Sequence, residues 1–259
     1  MEPPIHPVLI SILLFLGMLT SLEVGRRIRV KRRPKESEEE RGSLGIIEGA
    51  IFAMFGLVVA FSFSGAASRF NEKRMLIAEE VNTIETAYLR VHLVSAVAQP
   101  ELRELFQQYV DSRVATYRKL PDMEAAERER TRYKEIQQQI WVKSVAASRL
   151  PDSHPDAGKL LLPALNNMID MSTTRTMALR IHPPRVIFGL LFALGLICSL
   201  LAGYRIAGSS HRSWLHIFGF SLMTVVIVFV TVDVEYPRAG LIRLESQDEM
   251  LLNVRQSLK

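Results

Sequence analysis

The sequence predicts an all-α integral membrane protein with four transmembrane helices and a helical, water-exposed region between the second and third. Two observations predict this fold class. Four long apolar blocks hold most of the hydrophobic residues, and about 20 helical residues are enough to cross the hydrocarbon core of a bilayer. The stretch between the second and third blocks is instead rich in charges of both signs, and its apolar residues recur with a helical period.

The four apolar blocks contain no proline, and they run from Val8 to Val24, Leu44 to Ser68, Val186 to Tyr204 and Trp214 to Val232. Inside lipid every backbone group must be bonded within its own segment, so each block is predicted to be a helix. Buried helices of a soluble core are the disfavoured alternative, because such cores do not carry four runs of this length. The first block lacks preceding basic residues and an evident cleavage site, which indicates a retained span rather than a signal peptide.

The region from 69 to 182 carries four apolar stripes with a period near 3.6 residues, as in helices packed on a common core. Their members are Ile77, Val81, Ile84, Tyr88 and Val91; Leu102, Leu105, Phe106, Tyr109, Val110, Val114 and Tyr117; Tyr133, Ile136, Ile140 and Trp141; and Leu161, Leu165, Met168 and Ile169. Prolines at 100, 121, 151 and 155 separate the stripes. Asp122, and Asp152 with Ser153, are the expected turn and cap residues.

Four segments follow from this pattern: 1–68 with two spans and a basic connection, 69–185 exposed to water, 186–232 with two spans, and 233–259 as an amphipathic tail. Neither proline nor glycine interrupts the stretch from Ala66 to Ala98. We therefore expect the second span to continue into the water-exposed region as one helix, from Leu44 to Ala98.

Residue patterns of enzymes are absent from the sequence. The six histidines are scattered without metal-ligand spacing, and Phe63-Ser64-Gly65 lacks the first glycine of a nucleophile elbow. Glu79 and Glu80 are adjacent and so do not share a helix face; at least one is expected to be solvated or paired with Lys73 or Arg74. We predict no enzymatic activity, no catalytic residue, no metal and no cofactor.

Charge and single polar residues give weaker indications. The net charge of +5 comes with interleaved acidic residues in the middle region, which favours solvated helix faces and attraction to anionic lipid over nucleic-acid binding. Cys198, the single cysteine, is interpreted as a small packing residue. Glu48 lies one turn inside the second span, and an interfacial position is favoured over a functional intramembrane carboxylate.

Two motifs at the ends of spans resemble those of the bestrophins, in particular their bacterial members. The second span ends in a small and polar stretch followed by Arg69, Phe70, Glu72 and Arg74, and the fourth span ends with Asp233, Glu235, Pro237 and Gly240. The order of two spans, a long helical region, two spans and a short tail also agrees. The chain therefore resembles the bestrophin-like membrane proteins of bacteria, although Arg238-Ala239-Gly240 stands where animal bestrophins carry an acidic calcium-binding cluster.

The resemblance implies a homo-oligomeric ion channel, a pentamer that conducts anions in the bacterial inner membrane, with the bilayer, other copies and inorganic ions as its partners. It assigns Ala53, Leu57 and Phe61 to an apolar neck lined by the second span. Their spacing of four residues places them on one helix face. Packing of that face against lipid or a neighbouring span is the structural alternative. A non-conducting scaffold or sensor, whose soluble helices bind a partner, is the functional one.

The second span also carries two stripes of its own. The small residues are Gly49, Ala53, Gly56 or Leu57, Ala60 and Ser64, and the bulky ones are Phe52, Phe55, Val59 and Phe63. Small residues often mark helix contacts in membranes, so this stripe by itself favours packing.

Membrane orientation is predicted from the loop after the first span. Eight Lys and Arg residues lie between Arg26 and Arg41, and the positive-inside rule places such a loop in the cytoplasm. This places residues 69–185 outside, whereas the bestrophin resemblance implies the reverse. We lean toward the outward orientation because the charge rule is physical.

Overall fold

The computed structural model describes residues 7–32, 38–119, 122–207, 214–237, 241–242 and 245–258. Every regular element among them is helical: α1 (Pro7–Arg32), α2 (Glu38–Leu89), a 3-10 helix (Arg90–Leu93), α3 (Gln99–Arg118), α4 (Met123–Ala147), α5 (Ala157–Ala178), α6 (Arg185–Ile206), α7 (Trp214–Glu235) and α8 (Glu245–Ser257). Four of these helices, α1, α2, α6 and α7, are long and apolar enough to cross a membrane. The predicted fold class and the four spans are confirmed.

The chain divides into two compact units. The membrane-spanning unit comprises Met1–Phe70 and His182–Ile242, and the water-exposed unit comprises Asn71–Ile181 and Arg243–Lys259. The division falls inside α2, so this helix contributes its apolar half to the first unit and its charged half to the second.

In the membrane-spanning unit, α1 packs mainly on α6 and also on α7. A Cβ atom added to Gly25 of α1 would lie 1.9 Å from the Leu200 carbonyl oxygen, and one added to Gly203 of α6 would lie 2.0 Å from that of Leu22. The two backbones therefore touch where glycine leaves room for them, as is typical of close helix crossings in lipid. Cys198 is fully buried in the adjoining apolar cluster, as its interpretation as a packing residue requires.

In the water-exposed unit, the predicted stripes form one core between α2, α3, α4 and α5. Ile84, Phe106, Ile140 and Leu165 are fully buried there. Helix α8 adds Leu251 and Val254 to the same core, Leu258 just after it adds a third residue, and α8 packs on α3. The core thus confirms the helical period read from the sequence.

Two local predictions have different outcomes. Asp122 caps α4 as expected, since its side chain accepts a hydrogen bond from the Ala125 amide at 3.0 Å. The expected helix through Ala98 is wrong at its end, because α2 stops at Leu89 and the chain turns extended at Val94. Val91 and Val94 are buried by this turn, so core packing outweighs the absence of a helix breaker. Pro121 lies outside the described residues.

Candidate functional site

The three predicted neck residues lie on the exposed face of α2. Within one chain the Leu57 side chain is 55% exposed and that of Phe61 is 70% exposed, and Ala53 is exposed as well. Only 6% of the apolar window of α2 is buried, against 28–44% in the other three spans. The contacts of this unit therefore leave one apolar face of α2 available to lipid or to another helix.

The two stripes of the second span separate by exposure. All five small positions, Gly49, Ala53, Gly56, Ala60 and Ser64, belong to the exposed face. Among the bulky positions, Phe55 is buried in the apolar cluster of the unit, with Phe52 and Val59 packed against it, whereas Phe63 is exposed. The bulky stripe mainly attaches α2 to its own chain, and the small stripe remains uncovered.

Residues of the two motifs meet at the ends of the spans. Arg69 donates from Nε and Nη2 to Glu235 Oε2, at 2.9 and 2.7 Å. The Glu235 side chain is fully buried, and its other oxygen, Oε1, lies 3.1 Å from His182 Nδ1. The His182 ring also stacks on Tyr236, with centroids 4.5 Å apart. A buried carboxylate is thus ion-paired with a guanidinium and in contact with an imidazole nitrogen, which joins α2, the segment just before α6 and the end of α7.

Asp233 closes the turn that follows α7. Its carboxylate, which is fully buried, accepts from the Leu241 amide at 2.9 Å and from the Ile242 amide at 2.8 Å. Pro237 is buried in the same turn, and Gly240 lies outside the described residues. Asp233 therefore stabilises the backbone after α7, a structural role that the sequence resemblance did not specify.

The remaining motif residues are placed differently. Phe70 is half-buried, and Glu72 and Arg74 are exposed on the charged half of α2. The structure therefore joins Arg69 and Glu235 of the motif directly and leaves Glu72 and Arg74 facing solvent. Glu48 accepts from Arg205 Nη1 at 3.0 Å near the end of α6, which agrees with an interfacial position.

The water-exposed unit contains a charge cluster that sequence reasoning missed. Glu80, which is fully buried, accepts from Arg113 Nε at 2.7 Å and also pairs with Arg175. Arg175 stacks on Tyr117, with its guanidinium carbon 3.8 Å from the ring centroid. Glu79 is exposed. The prediction that at least one of the two glutamates is solvated or paired with Lys73 or Arg74 holds through the exposed Glu79. The described partners of Glu80 are instead arginines distant in sequence.

Opposite charges in this cluster hold one another ionised. Burial by itself raises the pKa of Glu80, but Arg113 and Arg175 outweigh it and bring that pKa below its ordinary value. Burial lowers the pKa of Arg113, yet Glu80 raises it well above normal. Glu80, Arg113 and Arg175 each continue an apolar stripe at helical spacing. A charged residue within such a stripe is expected to be buried and paired, so this pattern could have identified the cluster from the sequence.

Among the described residues, no group of His, Cys, Asp and Glu could hold a metal ion. The features that remain are the exposed apolar face of α2 and the Arg69–Glu235–His182 cluster at the end of its apolar half.

Comparison with known protein families gives a match over most of the chain. The family model described as the Bestrophin-like domain matches residues 12–248. No curated protein and no solved structure matches the chain. The matched range includes most of the first span, the other three spans and the water-exposed helices α3, α4 and α5.

Proposed function

This chain belongs to the Bestrophin-like domain family, and we propose that it forms a homo-oligomeric, anion-conducting channel in which α2 lines an apolar neck. The proposal includes a pentamer in a bacterial inner membrane. The observation that carries it is the exposed apolar face of α2, which combines small residues with Leu57 and Phe61.

Small residues on this face favour contact between copies over lipid contact alone. Lipid tails are as apolar as side chains, so helices associate in membranes where small residues allow close approach. Gly49, Ala53, Gly56 and Ala60 provide such a surface along the apolar half of α2. Closed cyclic symmetry lets a four-span chain surround a central path with one helix from each copy.

Leu57 and Phe61 are the candidates for the constriction. One turn separates them, so in a ring each would form an apolar collar, and a narrow apolar collar controls ion passage by dewetting. Ala53 would form a wider ring because its side chain is small. In this proposal the neck is closed by side-chain bulk and contains no charged residue.

The channel is tested by bilayer recordings from purified protein with Leu57→Ala and Phe61→Ala. Removing a collar widens the constriction, so each variant should raise conductance or open probability. Leu222→Ala is the matched control, since Leu222 is a 56% exposed apolar residue on α7. Unchanged currents together with a weakened oligomer would assign Leu57 and Phe61 to packing and refute the neck.

Oligomeric state is tested separately by mass spectrometry of the detergent-solubilised protein. A closed assembly, with five copies as its expected size, supports the channel. A strictly monomeric protein at all concentrations would refute both the pentamer and the channel. A stable oligomer without currents would favour the scaffold or sensor, in which the water-exposed helices bind a partner.

For orientation we retain the outward lean for residues 69–185, from the basic loop at 26–41. A cysteine at Gln138, an exposed position of α4, in a Cys198→Ala background reports it through an impermeant thiol reagent. Labelling of intact cells supports the outward orientation. Protection until lysis would establish the reverse.

A further inference from the structure

A cavity of about 200 Å³ lies in the membrane-spanning unit, at the end of the apolar half of α2. Val58, Phe61 and Ile187 contribute to its apolar wall, and Ser62 and Arg69 to its polar lining. A cavity of roughly 10–15 Å³ already holds one water molecule, so this one has room for a stretch of alkyl chain. It is an amphipathic cavity at the boundary of a membrane span.

The polar end of the cavity offers a hydrogen-bond donor to an acid. Glu235, which also lines the cavity, is ion-paired with Arg69, and its other carboxylate oxygen contacts His182 Nδ1. Arg69 uses Nε and Nη2 for this pair, and its Nη1 has no acceptor among the described residues. Nη1 lies over Gly65, 3.2 Å from where a Cβ atom of that residue would stand. The absence of a side chain at Gly65 therefore leaves room for this end of the guanidinium beside the cavity.

We propose that this cavity binds an anionic amphiphile, with its acidic headgroup at Arg69 and its alkyl chain along the apolar wall. A wholly apolar ligand would cover Nη1 without offering it an acceptor, which is costly. A small free anion would pair with Arg69 but leave the apolar wall unfilled. A phosphate or carboxylate carried on a chain satisfies both ends.

Phe61 is also a proposed neck residue, but the cavity is formed within one chain, so the inference does not rest on the proposed channel. A protein that binds the amphiphile without conducting would retain the site. If the protein conducts ions but does not bind the amphiphile, only the present inference is refuted and the channel proposal stands. Bilayer currents and lipid labelling therefore report on the two proposals separately.

The test uses the full chain in phosphatidylcholine vesicles with two photoactivatable probes, a phosphatidylglycerol and a long-chain fatty acid. Crosslinks should map to the peptides of α2 and α6 that line the cavity. Unlabelled phosphatidylglycerol should displace the label better than added phosphatidylcholine, because only the former carries a net negative charge. Comparison of the two probes distinguishes a phospholipid from a free fatty acid.

Ser62→Phe fills the cavity and should reduce labelling about tenfold, which corresponds to about 1.4 kcal/mol of lost binding. Leu190→Phe is the control, since Leu190 is an exposed apolar residue of the same unit and is not part of the cavity lining. Ser62→Leu, with a smaller expected reduction, replaces Ser62→Phe if size-exclusion chromatography shows that the latter is misfolded.

Four results would overturn the proposal. Labelling spread over all spans, or equal displacement by phosphatidylcholine, would indicate ordinary bilayer contact. Full labelling of correctly folded Ser62→Phe and Ser62→Leu would place the lipid elsewhere. Displacement of the label by inorganic phosphate as effective as by phosphatidylglycerol would indicate a simple anion site.

Discussion

In the membrane-spanning unit, α1 and α6 cross at Gly25 and Gly203, whereas in the water-exposed unit α2, α3 and α5 meet around Glu80, Arg113 and Arg175. The difference follows from the solvent of each unit. Lipid gives no hydrophobic reward for burying an apolar side chain, so close backbone approach supplies the contacts. In water, burial of apolar side chains is itself favourable. The apolar core that forms can therefore enclose a cluster of charges that compensate one another.

The largest expected effect comes from removing the carboxylate of this cluster. Glu80→Gln leaves two guanidiniums buried beside one another, and we expect the free energy of unfolding of the water-exposed unit to fall by about 3–5 kcal/mol. Chemical unfolding of the full chain in detergent, followed by Trp141 fluorescence in a Trp214→Phe background, measures it.

Glu79→Gln is the matched control, because Glu79 is the exposed neighbour on the same helix. Its expected effect is within about 0.5 kcal/mol. An equal loss of unfolding free energy in both variants would show that pairing with Arg113 and Arg175 does not account for the effect at Glu80.

Acid should act on the same cluster. The two arginines bring the pKa of Glu80 below its ordinary value of 4.5, so the folded state binds this proton less readily than the unfolded state. The stability from Glu80 is therefore present above pH 4.5 and is lost as the pH falls through its lower, folded-state pKa. The wild-type protein should lose stability over that range.

The Glu80→Gln variant isolates this effect from other carboxylates. Glu129, whose pKa is also lowered, chiefly by its hydrogen bond with Lys119, titrates in both proteins. The difference in unfolding free energy between wild type and variant should therefore shrink as the pH falls. A difference that is constant with pH would mean that Glu80 does not titrate on unfolding.

These results bear on what could be predicted from the sequence. The four spans and the core stripes followed from local periodicity, because burial on one face of a helix repeats every 3.6 residues. The partners of Glu80 did not, because periodicity gives the face of a residue but not the helix opposite it. Ser112 shows the same limit, since this polar residue is buried and donates to the Glu129 backbone carbonyl at 3.0 Å.

The candidate site was predictable to a similar degree. The family resemblance selected Arg69 and Glu235 as motif residues, and helical spacing grouped Ala53, Leu57 and Phe61. Neither indicated that Arg69 and Glu235 pair, because they are 166 residues apart in the chain. The end of α2 at Leu89 was also hidden, since it depends on burial of Val91 and Val94 in a core formed by other helices.

The glycine crossing should respond to a single methyl group. In Gly25→Ala the new Cβ would meet the Leu200 carbonyl, so α1 and α6 must separate. We expect a loss of about 1–3 kcal/mol, as for other overpacked positions, seen as a lower thermal midpoint by circular dichroism in detergent. Gly219→Ala is the control, because a Cβ there has no neighbour within 4 Å. A loss of the same size in Gly219→Ala would make helix flexibility, not backbone contact, the role of these glycines.

The smallest effect is expected at an ion pair on the surface of the water-exposed unit. Arg255 of α8 donates to Asp111 Oδ1 of α3 at 2.8 Å, and the two side chains are 33% and 55% exposed. Water screens such a pair and its ordering costs side-chain entropy, so Arg255→Gln should lower the unfolding free energy by at most about 1 kcal/mol.

Leu251→Ala on the same helix removes a fully buried side chain and should lower the unfolding free energy by about 2–5 kcal/mol. Both are measured in the Trp141 assay, at low and high salt. If Arg255→Gln proved as costly as Glu80→Gln, charge pairing itself would stabilise this unit. A small, salt-sensitive loss would instead show that the large effect of Glu80→Gln comes from the burial of its cluster. It would also show that apolar contacts, rather than this ion pair, hold α8 on α3.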